Sequence, residues 1–136
     1  MATRSRIGIQ LSDESVLSVY HHWDGYPEWL GRTLNTHYYD RFKAFDLIGG
    51  GDMSCCWTKE RWNDSTNESY GAQYYSQRGE DCPPRHDADL CEYLLAINAE
   101  EYHYLFRNGE WICYDMHPLG TKLPTIVEIP NEALVS

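Results

Sequence analysis

Positive charge is what this chain has least of: 11 Lys and Arg stand against 21 Asp and Glu, a formal net charge of −10. So acidic a surface repels nucleic-acid phosphates and anionic lipid headgroups, which argues against direct nucleic-acid binding and membrane association. The acids are scattered from Asp13 to Glu132 in runs no longer than two, the layout of a solvated surface more than of a DNA-mimicking stripe. Long apolar runs are missing as well. None approaches the roughly 20 residues of a membrane span, and residues 1–20 lack the apolar core of a secretion signal, so a soluble cytoplasmic protein is expected. The five cysteines, Cys55, Cys56, Cys82, Cys91 and Cys113, form no CxxC pair and are odd in number, which fits reduced thiols better than a disulfide framework. Also absent are a G-x-S-x-G nucleophile elbow and a phosphate-cradling G-x-x-x-x-G-K, since "GGGDMS" has no lysine and follows no strand. No residue is therefore assigned a catalytic role, and neither metal nor cofactor is expected.

The 136 residues make one domain, 1–136, long enough to bury roughly 70% of the surface of its unfolded chain. "RIGIQL" alternates with Ile7, Ile9 and Leu11 on one face, "SDES" supplies turn residues, and "VLSVYHHW" places Leu17, Val19, His21 and Trp23 on one face with Tyr20 and His22 on the other, so the amino end reads as a β-hairpin. Pro27 suits a first helical turn, and Leu30, Leu34 and Tyr38 continue a helix. Asp40 can cap a second helix through Phe42, Phe45 and Ile48, which "GGG" at 49–51 ends. A third helix runs through Leu90, Leu94 and Ile97 behind a cap at Asp87 or Asp89.

The strongest local signal is Asn108-Gly109 between two alternating runs, the preferred type I′ hairpin turn. It sets Arg107 opposite Glu110, Phe106 opposite Trp111, Leu105 opposite Ile112, Tyr104 opposite Cys113 and His103 opposite Tyr114. The expected architecture is α+β: an antiparallel sheet of at least four strands in two terminal hairpins, with about three helices on one face and a tail at 118–136. Residues 49–86 read as a long loop or insertion. Its aromatics, Trp57, Trp62, Tyr70, Tyr74 and Tyr75, are too many for a disordered linker, so the loop is expected to fold over the sheet or dock on a second copy of the chain, burying Trp57 and walling the site beside Trp23.

Three chemistries compete. Cys55, Cys56, Cys82, His86 and Cys91 are of zinc-ligand type, but adjacent cysteines and a lone C-x3-H-x4-C spacing match poorly, and small buried thiols explain them better. Nucleophilic catalysis needs a thiol or hydroxyl beside a base, and nothing singles out one cysteine. The third is the stretch "SVYHHWDGYPEWLG", where Tyr20, His22, Trp23 and Tyr26 offer stacking faces and polar tips while Arg4 and Arg6 on the neighbouring strand supply scarce cations. Flat aromatics with a few guanidiniums suit a nucleotide-like ligand; core packing with Asp24 shaping the turn is the competing account.

"MATRSRIGI" followed by "HHWDGYPEWLG" resembles a family of mostly uncharacterised small proteins of phages and bacteria, with relatives in fungi. Its members begin Met-(Gly/Ala/Cys)-Thr-Arg and continue into an aromatic-Asp-Gly-Tyr-Pro-Glu-Gly-x-Gly segment. The dense "HWDGYP" form with a long Cys- and Trp-containing insertion looks most like the phage versions. Members with cysteine after the initiator would present an amino-terminal nucleophile on the first strand, so the resemblance implies a sheet like that of amino-terminal-nucleophile hydrolases. Ala2 has no such nucleophile, so this copy is expected to bind rather than cleave, and Trp29 stands where the family segment has glycine. The resemblance implies a phage accessory protein acting in the host cytoplasm against host defence. The leading expectation is sequestration of a small anionic nucleotide-type immune signal by Arg4, Arg6, His22, Trp23, Asp24 and Tyr26. The alternatives are an acidic inhibitor that occupies a host defence nuclease, in the manner of a DNA mimic, and a hydrolase of the signal, for which His21, His22 or His103 would supply acid–base chemistry.

Overall fold

The computed structural model describes residues 3–22, 25–57, 71–75, 79, 82–95, 101–116 and 125–129, without the side chains of 54–57, 71–73 and 95. The amino-terminal hairpin is β1 (Ser5–Gln10) and β2 (Val16–His21), paired from Ser5↔His21 to Gln10↔Val16. Its turn is closed by Leu11 N–H donating to Ser15 O, with Glu14 at φ 70°. The Asp13 carboxylate accepts from both the backbone N–H and the hydroxyl of Ser15, bonds that hold its carboxyl below the usual range. From Pro27 the chain runs through a π-helical turn, Pro27–Gly31, directly into α1 (Arg32–His37). Then comes α2 (Arg41–Gly49), capped by Asp40, whose carboxylate accepts from Lys43 N–H at 2.8 Å.

The expected α+β class and mostly antiparallel sheet are both present. Among the described residues the sheet has eight strands, adding β3 (Met53–Trp57), β4 (Gly71–Tyr74), β5 (Arg85–Asp87), β6 (Tyr102–Arg107), β7 (Glu110–Asp115) and β8 (Thr125–Val127). Their order is β4-β3-β2-β1-β6-β7-β8, with β5 also on β2. Two pairings among the described residues are parallel, β1 with β6 and β2 with β3. The Asn108-Gly109 hairpin has the register read from sequence, Arg107↔Glu110 through His103↔Tyr114, with φ of 52° and 82° at its two turn residues, as a type I′ turn requires.

Three expectations are corrected. The segment 49–86 is not one loop: it contributes β3, β4 and β5, and β8 likewise gives the 118–136 tail a strand. Trp62, Tyr70 and the Trp57 side chain lie outside the described residues, while Tyr74 is half-buried and its hydroxyl donates to the Leu47 carbonyl of α2 at 2.6 Å. The helices cover both faces rather than one. The π-turn, α1 and α2 pack Leu30, Leu34, Ala44, Leu47 and Ile48 onto a first face of Ile7, Ile9, Val19, Tyr104, Phe106 and Trp111. On the second face α3 (Leu90–Leu95) packs Tyr93 against Val16, Leu105 and Tyr114. Its cap is Asp89, which accepts from Glu92 N–H at 2.8 Å, whereas Asp87 pairs with Arg85. The reason lies in β1, where residues of both parities are buried from Ser5 to Ile9. Only a sheet covered on both sides buries a strand in that way.

The third correction concerns α2. Its buried side is Ala44, Leu47 and Ile48, so Phe42 is 88% exposed and Phe45 and Tyr39 also face outward. Phe42 thus contributes no core contact. We expect Phe42→Ser to leave stability within about 0.5 kcal/mol and Leu47→Ala to cost about 2–5 kcal/mol. Urea denaturation of the two variants checks this, and a large loss from Phe42→Ser would contradict the assigned face.

Candidate anion-binding site on the second sheet face

Residues directly opposite one another on neighbouring strands share a sheet face. Arg6 pairs with Tyr20 of β2 on one side and with His103 of β6 on the other, and His103 pairs with Tyr114. One row across the second face therefore reads Tyr20, Arg6, His103, Tyr114. The adjacent row reads Arg85, Ser18, Gly8, Leu105, because β5 places Arg85 opposite Ser18. Two arginines and a histidine from three strands thus share the second face of the sheet.

Each is anchored. Arg6 is 7% exposed, and its guanidinium turns toward β2, where Nε donates to Ser18 Oγ at 3.1 Å and Nη2 to the Ser18 carbonyl at 3.3 Å. Arg85 Nε donates to Asp87 Oδ2 at 3.1 Å, and 31% of the Arg85 side chain reaches solvent. The His103 ring lies 4.8 Å from that of Tyr93, tilted by 35°. Tyr93 approaches this closely because Gly8 has no side chain: a Cβ there would stand 2.9 Å from the Tyr93 ring and hydroxyl. The same gap lets the Tyr93 hydroxyl donate to the Tyr104 carbonyl at 2.7 Å.

The electrostatics follow from burial. His103 is pushed down to about 3, first because burial disfavours its charged form and then because the Arg6 and Arg85 guanidiniums repel it, while a hydrogen bond to the Tyr93 backbone opposes the shift. It is a neutral imidazole at pH 7. Buried polar atoms normally have partners, yet Arg85 Nη2 and His103 Nδ1 have none. One unused donor and one unused ring nitrogen thus lie in a neighbourhood of two positive charges.

Arg6 stands at the centre of this site. Arg4 is exposed, and its carbonyl accepts from Glu101 N–H at 2.8 Å. His22 is half-buried, with Nδ1 2.6 Å from the Tyr20 hydroxyl. The β1 and β2 alternation gives Arg4 and His22 the same face as Arg6. Tyr26 instead caps the helical turn that covers the first face. Trp23 and Asp24, and with them the expected stacking face and turn-shaping carboxylate, lie outside the described residues.

Ser18, Arg85 and Tyr93 are not among the sequence candidates, and His103 enters there as a hairpin partner of Tyr114 and an acid–base group. Ser18 was findable, since it continues the Tyr20 and His22 alternation. The rest depend on the parallel β1–β6 pairing and a three-residue β5, for which the sequence has no signal.

The hydrolytic groups fare differently. His21 faces the first layer, opposite to His22 as strand alternation predicts. Its Nδ1 lies 3.2 Å from Ser5 Oγ, its Nε2 is buried without a partner, and burial pushes it down to about 3, with His22 adding to the shift. Burial pushes the Cys113 thiol up to about 12, which removes it as a nucleophile. Among the described residues no three His, Cys, Asp or Glu side chains come together to hold a metal; the Cys55 and Cys56 side chains are outside that set.

A cleft of about 400 Å³ at the hairpin end of the sheet is lined by Gln10, Leu11, Ser12, Glu14, Arg41, Arg107 and Asn108. Arg41 Nη1 there donates to the Gln10 carbonyl at 3.2 Å and Glu14 supplies negative charge, so the chemistry points to the second-face cluster. Comparison with known proteins returns no match, whether against family models, curated proteins or solved structures.

The two buried histidines make the fold acid-sensitive. Each is neutral in the folded protein down to about pH 3, whereas in the unfolded chain each binds a proton near pH 6.5. Their contribution is complete above pH 6.5 and is lost as pH falls toward 3, by about 2 kcal/mol per histidine at pH 5. Melting temperature measured from pH 8 to 4 is expected to drop steeply below 6.5, and His21→Gln to flatten that drop. A profile level to pH 5 would show that these rings are not buried and neutral.

Proposed function

We propose that this protein binds a small anionic ligand of the nucleotide type on the second face of its sheet, and acts by holding it rather than converting it. The observation that carries this reading is the gathering of Arg6 and Arg85 around a neutral His103 in a chain whose formal net charge is −10. Burying the Arg6 guanidinium costs solvation, and a phosphate-bearing ligand offsets that cost through charge-assisted hydrogen bonds. Tyr20 and His22, half-buried on the same face, give a nucleobase an aromatic neighbour. The family resemblance supports the further step, in which the ligand is a host immune signal and the protein a phage accessory factor that sequesters it in the infected cell.

Thermal denaturation in the presence of cyclic dinucleotides and ADP-ribose-type compounds tests this. A true ligand at 100 times its Kd is expected to add about 2.7 kcal/mol of stability. Arg4→Ala and His22→Ala should reduce that gain while leaving the unliganded protein's melting point nearly unchanged. Absence of stabilisation by every anionic nucleotide would overturn the reading. Ligand recovered intact after heating the complex supports a binder; a converted product would mark the protein as the hydrolase instead.

A second reading, inhibition of a protein partner, is favoured by one observation: Tyr39, Phe42 and Phe45 project from α2 into solvent, and exposed aromatics of this kind commonly anchor protein interfaces. Phe42→Ser separates the two readings, because it leaves nucleotide stabilisation intact.

A further inference from the structure

We propose that Arg85 of β5 and His103 of β6, on the same sheet face as Arg6, form a subsite for a phosphomonoester group carrying a proton on one of its oxygens. This rests on the reading that an anion occupies the second face. The argument is one of hydrogen-bond inventory. Arg85 is held by Asp87 through Nε alone, so its buried Nη2 is a donor without an acceptor. His103 bonds to the Tyr93 backbone; since Nδ1 has no partner, that bond falls to Nε2. A neutral ring donating from Nε2 has a bare lone pair at Nδ1. A partner for both atoms therefore has to accept from Arg85, donate to His103 and carry negative charge for the guanidiniums.

Few groups do all three. Sulfate and a phosphodiester carry charge and acceptors but no O–H. A nucleobase edge has a donor and an acceptor but no charge. A phosphomonoester, whose second ionisation lies near pH 6, supplies charge, acceptor oxygens and one proton. That proton either stays on the phosphate and is donated to Nδ1, or passes to Nδ1 with the phosphate bound as the dianion; the proton count of the complex is the same. No covalent bond changes. The groups facing His103 are Arg6 from β1, Arg85 with its partner Asp87 from β5, Tyr93 from α3 and Tyr114 from β7. Asp87 is the carboxylate among them, and its engagement with Arg85 Nε leaves Nη2 to the ligand. The solvent-reaching part of Arg85 marks the side from which the anion enters.

The test uses inorganic phosphate and sulfate on the full chain, by isothermal titration calorimetry. Phosphate is expected to bind at least about tenfold tighter than sulfate at pH 7, the factor that one lost hydrogen bond to a charged group represents. Its affinity should fall about tenfold per pH unit above the second ionisation of phosphate, because one proton must be taken up on binding. His103→Gln, whose amide can donate, is expected to erase both the preference and the pH dependence, and Arg85→Gln to weaken both ions. Should the variants not fold, 15N chemical shifts of the His103 ring in the unmodified protein read the same contact: Nδ1 moves with phosphate and not with sulfate. Equal binding of the two ions, or binding of neither at millimolar concentration, overturns the subsite. Nucleotide stabilisation that survives such a result leaves the proposed function standing. Phosphate selectivity without any nucleotide effect removes the nucleotide reading and leaves the subsite.

Discussion

β1 is the strand on which everything else depends. It has β2 on one side and β6 on the other and is buried on both faces from Ser5 to Ile9. A strand enclosed in this way must have cover above and below, which accounts for the π-turn, α1 and α2 on one side and α3 on the other. The parities then divide the labour. Ile7 and Ile9 anchor the larger core. Arg6 and Gly8, between them, face α3, where the arginine needs polar partners and the glycine makes room for Tyr93. The site is thus a consequence of burying the polar side of a strand whose apolar side is already used.

What could be read from the sequence was local. Asn108-Gly109 defines its own turn and, through period-two alternation, the register of every pair in the β6–β7 hairpin. Asp40 and Asp89 cap helices by the same short-range logic. The mixed sheet was not readable, because the parallel β1–β6 and β2–β3 pairings join segments far apart in the chain and no turn chemistry encodes them. That is also why Arg6 and His103 are legible as separate candidates, while their adjacency across the sheet and the presence of Arg85 on the same face are not. The orientation of α2 departs from its most hydrophobic residues for a related reason. Phe42 and Phe45 are more hydrophobic than Ala44, but helical phase, set by Leu47 and Ile48, decides which side is buried.

His21 and His103 show how the two layers constrain chemistry. Each is a buried neutral imidazole with one nitrogen unpartnered, yet their surroundings differ. His21 sits with a serine hydroxyl beneath the helices of the first face, in an apolar environment. His103 sits among guanidiniums. A ring in the first setting only has to stay uncharged, whereas in the second the guanidiniums add to the effect of burial in keeping the ring neutral, and a nearby anion would oppose that added part.

The acidic surface and the cationic site are compatible because of range. Exposed charges are screened beyond a Debye length of about 8 Å at physiological salt, so in the proposed reading an anion at the site responds chiefly to the buried Arg6 and the partly exposed Arg85. A polyanion such as a nucleic acid spans the surface and meets the scattered carboxylates along its whole length. In the proposed reading, the net charge of −10 therefore acts as a size filter: it turns away long phosphate chains while one buried and one partly exposed guanidinium admit a single small one.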